Sequence, residues 1–305
     1  MLKQLGTLIL KRFVMRHYLS IYLSLLLAFL CANVFAADRV ASEVVVFELR
    51  GTLEQGSLAY GHVLPGARVE LDGVPVRTTP DGDFVIGFDR DAKASQRLIV
   101  IDRDGRKDEH TLAIMQRKYD IQRVTGVPQQ TVTPPPEQLE RIAREQKQVE
   151  TARAVNSDRT EFLGPFQWPL IGPISGVYGS QRFYNGEPRR PHFGVDVAAS
   201  VGTPVRAPAA ATVTLAEPDL FFSGGTLIMD HGYGVSSTFM HLSRLLVKAG
   251  DTVQAGQIVA EVGATGRASG PHLDWRINWF GVHIDPQLVA APMPATQSDS
   301  AQVRE

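Results

Sequence analysis

Three short stretches in the C-terminal half gather residue types that can do chemistry. In HFGVD, His192 and Asp196 stand four residues apart. STFMHLS is an alternating, strand-like run ending near His241. GPHLD places His272 and Asp274 two residues apart, and on a β-strand residues i and i+2 share a face. A hydrolytic metal site needs three imidazole or carboxylate ligands at about 2.0–2.2 Å and an open fourth position. It also needs a base to take a proton from water and a donor to hold the developing oxyanion. Three histidines and two carboxylates supply those parts. Spacing alone leaves two readings open: a shared metal site, or scattered histidines with an ordinary His–Asp pair.

The elements that would position these side chains read as β-structure. Residues 165–290 form a Gly- and Pro-rich antiparallel β region holding five of the eight histidines: His192, His231, His241, His272 and His283. VKAGDTVQAGQIVAEVG repeats a turn-and-strand pattern. A barrel-sandwich carrier domain shares that pattern but needs a modifiable lysine at a hairpin tip, and none lies between Thr252 and Glu261. Residues 41–123 read as short strands with turn signals at Asp72-Gly73, Pro80-Asp81-Gly82 and Asp104-Gly105, the pattern of a small β-sandwich-like accessory domain. Its His62 and His110 stand alone and read as solvated or satisfied side chains. Between the two lies a linker, 124–160: a Pro-rich break, TGVPQQTVTPPPE, then a helix with a thin apolar stripe (Leu139, Ile142, Val149) and i,i+4 pairs Glu137/Arg141 and Glu140/Arg144. The predicted fold class is mainly β with one linker helix, and the polar residues 293–305 read as a disordered tail.

The ordered segments of 165–290 resemble the lysostaphin-type (LytM-type) zinc metallo-endopeptidases that cut peptidoglycan peptides. The resemblance is carried by GVYGSQRFYNGEPRRPHFGVDVAAS, GTPVRAPAAATV, MDHGYGVSSTFMHLS, VKAGDTVQAGQIVAEVGATGRASGPHLD and Asp285-Pro286. It implies a C-terminal antiparallel peptidase domain with one Zn²⁺ per chain, hydrolysing peptide cross-links through metal-activated water. On the family pattern His192 and Asp196 match the first two metal ligands, and His241 and His272 match the catalytic pair that flanks the metal. The implied partners are peptidoglycan stem peptides, with room for cell-envelope protein partners.

The chain departs from the pattern at the third ligand, where the family's H-x-H ends in Asp274. Aspartate is a competent zinc ligand. Two carboxylates would formally neutralise a dication, weaken it as a Lewis acid and favour harder, oxygen-liking divalent ions. The alternative reading is a catalytically inactive member that binds the wall or activates other wall hydrolases. Around the motifs, Asn185, Arg189, Arg190 and Arg276 are candidates to touch substrate, the arginines by receiving stem-peptide carboxylates. His231 reads as structural, His283 as a packing or surface residue, and the glycines of GATGRASG as a tight loop beside the site.

Bulk composition narrows the setting. Residues 1–36 carry Lys3, Lys11, Arg12 and Arg16, no acidic residue, an apolar run and the small-residue spacing Val34-x-Ala36, the form of a cleaved secretory signal peptide. The rival is an uncleaved anchor, although the run is shorter than the roughly 20 residues of a spanning helix. Taking those four charges from the 31 Lys and Arg leaves 27 against 32 acidic residues, a poor balance for binding nucleic acid. The single cysteine, Cys31, falls inside the signal, so the mature chain would hold no disulfide. An exported protein is expected, in the periplasm, with no membrane span after cleavage.

Overall fold

Strand after strand of this chain alternates apolar and polar residues, and the computed structural model pairs them into sheets. It describes residues 47–125 and 135–294. The segment read as an export signal, residues 126–134 of the Pro-rich break and residues 295–305 of the tail lie outside the described residues.

The N-terminal part is built from two small sheets. One joins β1 (Phe47–Arg50), β2 (Leu58–Val63) and β5 (Asp83–Gly87) in that order. The other runs β4 (Val74–Val76), β3 (Arg68–Leu71), β6 (Ser95–Ile101), β7 (Lys107–Ala113). The turn between β3 and β4 is Asp72-Gly73, with φ of 50° and 80°, as a tight primed hairpin turn requires. Val63, Val69, Phe84, Ile86, Leu98 and Val100 share one apolar core. Each such buried side chain contributes about 1.5–3 kcal/mol. His62 is satisfied by Asp83, 2.8 Å away.

The linker then does more than span. Strand β8 (Ile121–Val124) lies parallel to β10 (Gln181–Tyr184) and extends the hairpin that β10 makes with β11 (Glu187–Pro188). Helix α1 (Leu139–Arg153) buries only its C-terminal end: Ala152 and Val149 pack on Leu215, Leu220 and Ile228, while Leu139 stays exposed. Arg141 pairs forward with Glu145 (2.6 Å) and Asp219 (3.1 Å) rather than back to Glu137. The reason is tertiary: Glu145 also accepts from the Phe221 N–H at 2.7 Å, which fixes that carboxylate on the C-terminal side.

The C-terminal part is one large antiparallel sheet in the order β18 (Thr252–Val253), β14 (Ala211–Leu220), β15 (Gly224–Gly232), β16 (Val235–Leu242), β20 (His272–Trp279), β12 (Val195–Ala198), β9 (Ile174–Gly176), with β21 (Val282–Ile284) also on β20. A small sheet of β13 (Pro204–Arg206), β19 (Ile258–Glu261) and β17 (Arg244–Leu245) packs with it. Val195, Val197, Leu273, Trp275 and Ile277 are fully buried in the core, as are Phe239 and Leu227. Leu58 and Val85 of the N-terminal sheets join this same core. The two parts are also pinned by Arg117, which donates to the buried carboxylate of Asp285 at 2.9 Å. That carboxylate caps the short helix α2 (Pro286–Val289) through the Gln287 N–H. Among the described residues no helix is long and apolar enough to cross a membrane.

Candidate metal centre

Alternation on β20 decides what faces the site. Leu273, Trp275 and Ile277 point into the core, so His272, Asp274, Arg276 and Asn278 share the opposite face. On β12 the same logic buries Val195 and Val197 and turns Asp196 to that face. The antiparallel register sets Asp196 directly opposite Asp274. Like charges facing each other across a strand pair are destabilising, so the pair needs cationic neighbours.

His192 enters from the loop before β12 and is held by its backbone: its N–H donates to the Ser180 carbonyl, and its carbonyl accepts from the Gly179 N–H, both at 2.8 Å. Its ring lies between the two carboxylates, with Nε2 3.2 Å from Asp196 Oδ1 and Nδ1 4.0 Å from Asp274 Oδ2. His192, Asp196 and Asp274 each offer a ligand atom, and these atoms lie within 4.8 Å of one another. His192 Nε2 and Asp196 Oδ1 are buried and form no hydrogen bond. Buried polar atoms are almost always satisfied, and two orphans converging from an imidazole and a carboxylate are what a metal's ligands look like when their partner is the ion. Gly176, opposite Asp196 on β9, leaves the room, since a Cβ there would strike the Asp196 carboxylate. The residues fit a divalent metal.

His241 reaches the site by a local irregularity. The β15–β16 register slips between the Leu227–Phe239 and Gly225–Leu242 pairs, and His241 takes φ of 64°, unusual for a residue with a Cβ. Gly263 allows the chain to cross there, since a Cβ at that position would lie 2.6 Å from the His241 carbonyl oxygen. The His241 and His272 rings are 4.8 Å apart. Each donates Nδ1–H to a backbone carbonyl at 2.8 Å, His241 to Thr265 and His272 to Gly270. That fixes the tautomer and leaves Nε2 as the proton acceptor. For His272, Nε2 stands 3.8 Å from Asp196 Oδ1. Burial holds the His241 imidazole below its ordinary pKa range, which keeps it neutral and able to accept.

These groups line an open cavity of about 730 Å³. Arg189 and Arg190 are on its wall, with Arg189 over the Tyr184 ring and Arg190 over Phe193. Arg276 also lines it, yet its guanidinium does not serve as a free rim charge. Its Nε donates to Asp274 Oδ1 at 2.9 Å and an Nη to Asp274 Oδ2 at 2.7 Å, because the two residues share a face two positions apart. Burial pushes the Asp274 carboxyl up, but the adjoining guanidinium outweighs that and holds it below the usual range. Asn185 sits in the β10–β11 turn at φ of 53° and is not part of the cavity wall. Two wall residues come from the end of the N-terminal part, Asp120 and Gln122 at β8, which no local motif marks. His231 is a core residue bonded to the Ala210 carbonyl and Ser237 Oγ. His283 stacks on Phe193 at 4.0 Å and bonds Asn278.

The model of peptidase family M23 matches residues 190–286. An uncharacterized metalloprotease of Haemophilus influenzae is 39% identical over 116 residues, covering 38% of this chain and 24% of that protein. The peptidoglycan DD-endopeptidase ShyC of Vibrio cholerae is 34% identical over 114 residues, covering 37% of this chain and 26% of its own. The chain thus spans about a quarter of the length of these curated relatives. A crystal structure from Pseudomonas aeruginosa assigned to peptidase M23 superposes with a TM-score of 0.60 at 30% identity, over 78% of this chain and 95% of that one. On the matched motifs and this near-complete overlap, the chain belongs to peptidase family M23.

Proposed function

We propose that the protein is an exported, metal-dependent endopeptidase acting on the peptide cross-links of bacterial peptidoglycan. The observation that carries this reading is the pair of buried, unpartnered ligand atoms on His192 and Asp196, with Asp274 opposite. His192, Asp196 and Asp274 would hold a zinc ion, or another divalent ion. When bound, such an ion polarises a carbonyl and lowers the pKa of water at its open position. The chain's own residues do the rest. Of His241 and His272, one takes a proton at Nε2 and the other, once protonated, donates to the oxyanion. Arg189 and Arg190 on the cavity wall suit a substrate that carries carboxylates, as stem peptides do.

A second reading is favoured by one observation, that both oxygens of Asp274 are already bonded to Arg276. It makes the protein a catalytically silent wall-binding or activating relative. Digestion of purified sacculi by the purified chain, with released muropeptides identified by mass, separates the two. The expected result is release that stops with a chelator and returns with zinc. Absence of both stoichiometric metal and muropeptide release would establish the silent reading.

A further inference from the structure

We propose that Asp274 and Arg276 act as one unit that replaces a neutral imidazole ligand, with Arg276 as a positioning residue that aims the carboxylate and cancels its charge. This rests on the metal-dependent reading above. The charge balance is the first argument. A neutral imidazole and two carboxylates carry two formal negative charges, enough to neutralise a dication and blunt it as a Lewis acid. The guanidinium beside Asp274 returns the set to one negative charge, the value for two imidazoles and one carboxylate. The weakened Lewis acid that two carboxylates alone would imply is thereby avoided.

Geometry is the second argument. Each carboxylate oxygen has two lone-pair sites, so Asp274 Oδ2 can accept from Arg276 and keep a second site for an ion. The planar two-bond fork, at 2.9 and 2.7 Å, fixes the plane of the carboxylate much as a ring fixes its own nitrogens. Ligating carboxylates are ordinarily oriented by hydrogen bonds of this kind. The Asp274 side chain is 4% exposed and that of Arg276 17%, so the pair is sheltered from competing water.

Thr238 and Arg153 stand beside Arg276. Thr238 is its cross-strand neighbour, and Thr238 Oγ1 accepts from Arg153, the last residue of α1, at 3.2 Å. Burial, then the charges of Arg276 and Arg190, push the Arg153 guanidinium down to about 9. Arg276 is therefore close enough to Arg153 to feel a like charge, while the Asp274 carboxylate meets it directly. Both favour the fork with Asp274. The linker helix thus contributes a residue to the surroundings of the site.

The test is zinc titration by calorimetry on the full chain, with metal stoichiometry, for wild type, Asp274→His, Arg276→Lys and the double variant Asp274→His/Arg276→Met. Circular dichroism checks each fold. Asp274→His alone leaves a buried guanidinium unpaired beside the metal, and zinc affinity should fall about 10–100-fold. Removing Arg276 as well should restore most of that loss, a strongly non-additive outcome. Arg276→Lys keeps the charge, loses the fork, and should bind zinc about tenfold more weakly with one zinc still held. If Asp274→His binds zinc as wild type does, or the double variant is no better than the single one, the unit does not exist while the hydrolase reading stands. Should Asp274→His fail to fold, wild-type affinity in Arg276→Lys would overturn the proposal by itself. A wild-type chain that binds no stoichiometric divalent metal and releases no muropeptides ends the hydrolase reading, and this inference with it.

Discussion

The Nε2 of His192 and the Oδ1 of Asp196 stand 3.2 Å apart, both buried, and neither makes a hydrogen bond. Protein interiors rarely leave two such atoms together without a partner. An ion that binds the folded but not the unfolded chain stabilises it by mass action, by about 2.7 kcal/mol at a hundredfold excess over Kd. Zinc should therefore raise the thermal midpoint of the chelator-treated protein. His192→Ala and Asp196→Ala should each erase that rise. Thermal scans with and without zinc check this, and an unchanged rise in either variant would remove that residue from the ligand set.

His241 and His272 both commit Nδ1 to a backbone carbonyl and leave Nε2 toward the site. On the proposed mechanism they handle the proton and stabilise the oxyanion and do not bind the metal. His241→Ala and His272→Ala should each lower muropeptide release by about 10²–10⁴-fold. Bound zinc per chain, measured by elemental analysis, should stay at the wild-type level in both.

His231 is fully buried, and burial pushes its imidazole down to about 4 from an ordinary value near 6.5. The unfolded chain takes up a proton at this side chain as pH falls through 6.5, while the folded chain does not until about 4. Stability from this group is present above 6.5, declines as pH drops across that window and is exhausted below it, by about 3 kcal/mol in all. Urea unfolding at pH 7, 5.5 and 4.5 measures the decline. His231→Gln should be less stable at pH 7 and show a shallower slope across the window; an unaltered slope would contradict the assignment.

Arg90, a buried residue of the N-terminal part, donates from Nε to the Gly179 carbonyl at 2.8 Å. Gly179 in turn bonds the backbone of His192. A hydrogen bond from a charged donor contributes about 1.5–3 kcal/mol. Arg90→Ala should cost stability of that order and also weaken zinc binding, although the residue touches no ligand. Denaturant unfolding read together with zinc titration tests this. Lost stability with unaltered zinc affinity would confine Arg90 to a structural role.

The helix α1 illustrates how far local pattern reaches. Its span follows from a Pro- and Gly-free run, and its apolar stripe includes Val149 at the buried end but also Leu139, which is exposed. Ala152 and Val149 are selected by Leu215, Leu220 and Ile228, more than sixty positions onward. Asn185 shows the same limit, since it is absent from the cavity wall although its neighbour Tyr184 lines it.

The chain's sequence by itself determined that the protein is mainly β and that His272 and Asp274 share a strand face, and its resemblance to the lysostaphin-type family grouped His192, Asp196 and His241 with them. Those features are local, set by side-chain alternation and by ordered residue types. Only the tertiary structure decided that Asp196 faces Asp274, that a bulge turns His241 toward His272, and that β8 of the N-terminal part walls the cavity. It also decided that Arg276 closes on Asp274 rather than on the groove. Strand register and the partner a buried charge finds depend on long-range pairing, where desolvation makes each charge seek the nearest opposite one.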